Sequence, residues 1–385
     1  EKEEKMMYFE LKKIFSKTSS KIALMVIFGF MIYLVSIANY LVWINEDGTE
    51  ITGKAAAKKI REAEQEWYGP LTEEKIAEVI TQNWDQGNRE IRILIAKAFG
   101  GLDNIDTTIV DTLTADDAAN FYSNRINSVE DWMEGQGDWY TQEEKAFITA
   151  QYKDMNVPLN YSYTKGWTKL FPAASNLQTF LVFAIGFLVA GIFSEEYRTG
   201  AYAIYFSSAH GKGKAITAKI KAGFFLITAV YWISFLLFSF LVLNQLGFEG
   251  ADSQIQTSMI SWGSFYNITF QQEYWMIAVG GYIGCLFIDS FAMLVSAKTK
   301  STIVSVIVPF AVIFAPAVIK VINTPLTEKI NGLMPYQLVQ INSVIGKFYC
   351  YKIMGKFIGG VGVLLILYMI LSMLIQPVIY LIFKK

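Results

Sequence analysis

The chain is 385 residues long, 53% hydrophobic and 17% charged, with a formal net charge of −1 at neutral pH. That composition points to a membrane protein rather than to one large soluble core, and no nucleic-acid partner is expected of it. Two cysteines, Cys285 inside an apolar stretch and Cys350 in a loop, exclude a disulfide framework.

A bilayer core about 30 Å thick requires roughly 20 apolar residues in a helix. Six segments reach that length: Ile22 to Ile44, Pro172 to Phe193, Ala222 to Leu246, Tyr274 to Ala297, Thr302 to Ile319 and Phe357 to Phe383. The fold class predicted is an all-α integral membrane protein with six transmembrane helices. Ahead of the first span, MMYFELKKIFSKTSSK places Met7, Leu11, Ile14 and Phe15 on one side and Lys12, Lys13 and Lys17 on another. This pattern predicts an amphipathic helix on the inner membrane surface. The first span is too long for the apolar region of a signal peptide and lacks a small-residue cleavage site, so residues 1–44 are read as surface helix plus span.

Residues 45–170 read as a helical extracytoplasmic domain inserted between the first two spans. From Asn45 to Lys165 there are 23 acidic against 12 basic residues, a net charge of −11. A solvated acidic surface is the simplest explanation, a cationic partner the alternative. Helices are predicted over Lys54 to Tyr68, Thr72 to Asp85, Arg89 to Phe99, Thr114 to Glu134 and Thr141 to Tyr152. Glycine or Gly-Pro stops end the first and third, and Thr114 with Asp117 and Thr141 with Glu144 have capping-box spacing. Trp139, Tyr140, Tyr161, Tyr163 and Trp167 read as an aromatic belt where this domain returns to the membrane.

Residues 171–385 carry spans two to six and, near 194–214, a loop with a short helix. Lysine and arginine cluster before Ile22, between Ser194 and Lys221, at Lys298 and Lys300 and at Lys384 and Lys385, fifteen in all, whereas none occurs between Gln245 and Glu273 and four, Lys329, Lys347, Lys352 and Lys356, lie in the last outer loop. The positive-inside bias therefore puts both termini in the cytoplasm.

Hydrolytic and metal chemistry find little support. His210 is the only histidine, and no H-E-x-x-H, CxxC or G-x-S-x-G occurs, so no catalytic residue, cofactor or metal site is expected in this chain. Gly211-Lys212-Gly213-Lys214 is followed by Ala215 and precedes a membrane helix, which is not a phosphate-binding loop.

In the fourth span Gly281, Cys285, Asp289, Ala292 and Ser296 fall on one face, a small and polar stripe that should meet protein or a water-filled path. Asp289 calls for an explanation, because a mid-span aspartate costs roughly 2.5–3.5 kcal/mol on insertion scales. It bonds a neighbouring helix, lies near the membrane surface or marks a transport path. Gly355 and Gly359 form a GxxxG that predicts close helix packing at the start of the sixth span.

The segment FSEEYRTGAYAIYFSSAHGKGKAITAK, Phe193 to Lys219, interrupts the apolar pattern. Glu195, Arg198 and Thr199 lie one helical turn apart, with Ala201, Ile204 and Tyr205 on an apolar side. A short helix against the membrane is predicted, its polar face offered to a soluble partner.

Here the residues resemble the signature of type-2 ABC transporter permeases. An aromatic residue ends the second span, Glu follows within three residues and Gly a few later. A small-polar turn, a basic residue and a lysine opening the third span complete the pattern. Phe193, Glu195 or Glu196, Gly200, Ser207-Ser208, Lys212 or Lys214, and Lys219 occupy those places, with Tyr197, Arg198 and Thr199 inside the motif. Ala201 stands where that family often has threonine, and Ala209-His210 replaces its usual proline-containing turn. The surface helix, the six spans, the large insert and a re-entrant-like GLMPYQLVQINSVIG before the sixth span extend the resemblance over most of the chain.

The resemblance implies a transport subunit in a bacterial cell membrane, without enzymatic activity of its own. It would pair with a second permease subunit, identical or related, and dock on cytoplasmic ABC ATPase subunits that hold ATP and Mg. Glu195, Glu196 and Arg198 would contact the ATPase, and Ser207 to Lys214 would shape the hinge. Apolar spans suit an amphiphilic substrate, such as an antimicrobial peptide, a hydrophobic drug or a lipid-like molecule. Two alternatives are a non-transporting receptor or envelope protein built around the insert, and an ion-coupled secondary transporter dependent on Asp289.

Overall fold

A computed structural model describes residues 2–207, 213–319, 322 and 324–384, except the side chains of residues 2, 3, 205 and 206. The chain is mostly helical. Six of the helices are long and apolar enough to cross a membrane: Thr18–Ala38, Lys165–Val189, Lys214–Leu246, Phe270–Thr299, Thr302–Ile319 and Gly360–Lys384, called spans 1 to 6 below. Spans 2, 3 and 4 bury more than half of their central residues against the rest of the chain, whereas spans 1, 5 and 6 bury less than a third. The first group is the core of the bundle, and the second leaves most of its apolar surface exposed.

Local chemistry explains several boundaries. The helix Lys2–Phe15 is separated from span 1 by Lys17, whose extended backbone starts a new helix. Span 1 is shorter than predicted: Val42–Ile44 leaves it to pair with Glu50–Thr52 as an antiparallel hairpin. Span 3 stops at Gly247 (φ 113°), a conformation that favours glycine. Thr269 opens span 4, accepting from the Gln272 backbone N–H while Gln272 Oε1 accepts from the Thr269 backbone N–H.

The insert between spans 1 and 2 folds from Gly53–Glu64, Glu73–Thr81, Arg89–Gly100, Phe121–Gly135 and Gln142–Lys153, with 3₁₀ turns at Gln65–Trp67, Thr107–Thr112 and Ala115–Asn120. Both capping pairs form. Asp117 accepts from Thr114 N–H at 2.7 Å, and Glu144 accepts from Thr141 N–H at 2.9 Å, although the first opens a 3₁₀ turn rather than an α-helix.

The core of this insert is not confined to residues 45–170. Trp262 and Phe265, from the segment between spans 3 and 4, and Phe348 and Cys350, from the segment between spans 5 and 6, pack into it. Arg125 lies between the Tyr152 and Trp262 rings at 4.5 and 4.8 Å and donates to the Trp262 carbonyl. Lys329 and Lys352 reach the insert through Glu144 and Glu143, at 2.5 and 2.6 Å.

Two sequence expectations are corrected here. Gly355 and Gly359 do not lie in a helix: Gly355 (φ 81°) turns the hairpin of Cys350–Ile353 with Lys356–Gly359, and Cys350 is in its first strand. Tyr161, Tyr163 and Trp167 are buried in protein rather than placed in an interfacial belt, with Trp167 Nε1 donating to the Glu249 carbonyl at 2.8 Å.

Candidate functional site

Two clusters of polar residues stand out, one at the end of the bundle that carries both termini and one within span 4. At the terminal end, span 2 gives way to the short helices Glu195–Arg198 and Tyr202–Ser207, separated by Gly200 (φ 72°). A left-handed residue is the usual device for ending a helix, which gives the motif glycine a backbone role. Ser208 and Lys212, like His210, lie outside the described residues; Lys214 is the first residue of span 3.

Glu195 and Glu196 face inward, at 8% and 5% exposure, and of the three residues expected at a partner surface only Arg198 is exposed. Lys13 of the N-terminal helix and Lys219 of span 3 both donate to Glu196 Oε1, each at 2.7 Å. Lys219 is fully buried and donates also to Glu10 at 3.1 Å and to the Ile192 carbonyl at 2.8 Å. Lys17 pairs with Glu195, whose other oxygen accepts from Arg198 at 2.7 Å. Burial works against ionisation of both carboxyls, yet the cations outweigh it and hold them below the usual carboxylate range: Lys17 and Arg198 for Glu195, Lys219 and Lys13 for Glu196.

The same segment touches the remaining spans. Ser194 Oγ and Thr302 Oγ1, at the start of span 5, are 2.6 Å apart. Lys300 sits 4.5 Å over the Tyr197 ring, Phe193 packs edge-on against Phe383 of span 6, and Tyr197 stacks on Tyr202. Thr199, Gly200, Ala201, Tyr202 and Ile204 are exposed, the last at 78%. The segment is thus a buried anchor with an exposed outer face.

In span 4 the predicted stripe is buried throughout: Gly281, Cys285, Asp289, Ala292 and Ser296 all face protein. At Gly281 an added Cβ would lie 2.3 Å from the Gln178 amide and 2.6 Å from the Tyr231 hydroxyl. Gln178 donates to Tyr231 (3.0 Å) and to the Ile277 carbonyl (2.9 Å), while Tyr231 donates to the Ala278 carbonyl (2.7 Å), tying spans 2, 3 and 4 together. Ser296 donates to the Ala190 carbonyl at 2.6 Å.

Asp289 is fully buried, and neither carboxyl oxygen has a hydrogen-bond partner among the described residues. Gly186 of span 2 and Pro309 of span 5 close over it; a Cβ on Gly186 would meet Oδ1 at 3.0 Å and the proline ring at 2.6 Å. Glu273, in the first turns of the same span, is likewise buried without a partner. Sequence reasoning missed it by starting the apolar stretch at Tyr274. It also missed Lys13 of the N-terminal helix and Lys17 just after it as partners of Glu196 and Glu195, from which they are over 170 residues away.

No group of three or more histidine, cysteine, aspartate or glutamate side chains among the described residues is placed to hold a metal. No protein-family model, curated protein or solved structure matches this chain.

Proposed function

We propose that this chain is the membrane permease subunit of an ATP-driven exporter, with the segment after span 2 as the docking and coupling element. The observation that carries this reading is the joint packing of Phe193 to Tyr202 against the N-terminal helix and spans 3, 5 and 6, with an exposed face outward. Force applied to such an element reaches most of the bundle at once. Interfaces and packed cores answer small shifts by switching between discrete arrangements, so the coupling does not need a flexible lever.

The roles divide accordingly. Arg198, Thr199, Gly200, Tyr202 and Ile204 form the contact face for a cytoplasmic ABC ATPase, which holds ATP and Mg. Glu195, Glu196 and Lys219 position that face from inside. Both termini lie in the cytoplasm and the insert is extracytoplasmic, as the basic residues at the terminal end support. Lipid and a second permease subunit, identical or related, cover the exposed apolar faces of spans 1 and 5. The substrate is an amphiphile.

The test is copurification of the chain with a soluble P-loop ATPase, followed by R198A and I204D. I204D changes an exposed side chain and R198A leaves Glu195 its pair with Lys17, so the permease is expected to fold while coupled ATPase activity falls at least tenfold. Full coupled activity in both variants would sink the docking assignment.

A further inference from the structure

Span 3 ends at Leu246, and the first helix of the insert, Gly53–Glu64, packs against that end, with Ala56 and Ala57 in the same core as Leu243 and Leu246. Beside this contact an open cleft of about 930 Å³ lies between the helix and the end of the span. The helix contributes Lys54, Lys58 and Arg61 to its wall, at steps of four and three that put them on one face. The other wall includes Asn244 and Gln245 near the end of span 3 and Phe248 just beyond it.

The charges of the cleft do not cancel. Arg61 Nη2 donates to the Leu246 carbonyl at 3.3 Å and to Glu249 at 3.2 Å, and its guanidinium lies 4.7 Å over the Tyr163 ring. Glu249, the one carboxylate in the lining among the described residues, is thereby matched. Lys58 keeps 75% of its side chain exposed and meets Glu62 only at 3.8 Å, and Lys54 is exposed with no ion pair among the described residues. A segment of net charge −11 from Asn45 to Lys165 thus sets two available lysines where it meets a span. Along span 3, Ile233, Leu236, Leu237 and Phe240 are exposed at helical spacing, and Asn244 continues their face into the cleft. An exposed apolar stripe therefore leads to a cationic recess at the end of the span.

We propose that this cleft binds the headgroup of an anionic phospholipid from the leaflet on the side of the insert, with the acyl chains lying along the stripe of span 3. The phosphate oxygens accept from Lys54 and Lys58, and the amides of Asn244 and Gln245 serve a headgroup that carries hydroxyls. A soluble anion would use the lysines but not the stripe, and a zwitterionic lipid would use the stripe but bring a second cation to the lysines. A lysine beside an anionic leaflet is worth about fivefold in affinity, so the pair supplies roughly thirtyfold. The lipid would bridge span 3 and the insert and so fix the insert on the membrane surface. This site requires six spans and a bilayer, and does not depend on the exporter reading.

Native mass spectrometry of the purified full-length chain in a neutral detergent, titrated with phosphatidylglycerol or with phosphatidylcholine of the same acyl chains, tests this directly. The expected result is phosphatidylglycerol bound at least tenfold more tightly than phosphatidylcholine, with that preference lost in the double variant K54Q/K58Q. K59Q, which removes an exposed lysine of the same helix outside the cleft, is expected to bind as wild type. Glycerol phosphate, the headgroup without chains, is expected to bind at least tenfold more weakly than the lipid. Equal binding of the two lipids, a preference that survives K54Q/K58Q, or glycerol phosphate binding as tightly as the lipid would overturn the site, the last in favour of a soluble anion. Lys54 and Lys58 are exposed, so both changes should leave folding intact; if the double variant does not fold, K54Q and K58Q decide singly, each with an expected loss of about fivefold.

Discussion

The carboxylates at the terminal end and those in span 4 are equally short of water but not of partners. Glu195 and Glu196 each meet cations from two or more elements, whereas Asp289 and Glu273 meet none among the described residues. A buried charge with good partners holds elements in register, and removing one partner leaves the other uncompensated. A buried carboxyl with no partner does nothing for the fold that its neutral isostere would not do. The carboxyls of the first cluster therefore hold elements of the fold together, and those of span 4 do not.

Breaking a paired group should have the largest effect. K219A leaves Glu196 and Glu10 without their buried cation, and a loss of about 3–5 kcal/mol is expected. Its measure is the midpoint of thermal unfolding of the purified protein, and an unchanged midpoint would refute the anchoring role. Next in size is G281A: the added methyl meets the Gln178–Tyr231 pair at 2.3 and 2.6 Å, and overpacking of this kind costs about 1–3 kcal/mol. The same denaturation assay should rank it between K219A and wild type.

D289N is the sharpest contrast, because it removes a titratable group without removing a partner. Its unfolding midpoint at neutral pH should equal or exceed that of wild type, while E195Q, which weakens the Lys17 and Arg198 pairs, should lower it. Should D289N fall as far as K219A, the distinction between the two clusters fails.

Acidity offers a milder probe. The folded-state ionisation of Glu195 and Glu196 is shifted down, so their contribution is present above the unfolded carboxylate range, about 4.3, and is lost as pH falls through the lower folded values. Glu64 runs the other way. Burial, only partly offset by Lys165 and reinforced by Glu90, pushes it up to about 7. The folded chain keeps that proton while the unfolded chain loses it, so stability falls between about pH 4.3 and 7. E64Q should flatten this part of the pH–stability curve, with a gain on the order of 1 kcal/mol at pH 7.5; an unchanged curve would show that Glu64 ionises freely.

Length and apolarity alone located six spans, because a bilayer-crossing helix must satisfy its backbone internally and needs about 20 apolar residues wherever it sits. Capping spacing was equally legible at Thr114 and Thr141, since those bonds join residues three apart. The burial of the span 4 stripe followed from helical periodicity. Ends and partners were not legible. Gly355 and Gly359 have helical spacing but fall in a hairpin, and the insert takes part of its core from segments more than a hundred residues later. Glu195 and Glu196 looked available to a partner because nothing near them in sequence neutralises both, and only folding brings Lys13, Lys17 and Lys219 to them. The polypeptide by itself determined which stretches must cross a membrane, a matter of local composition. Whether each charge within or beside them is satisfied depends on contacts between distant elements, and only the tertiary structure decided that.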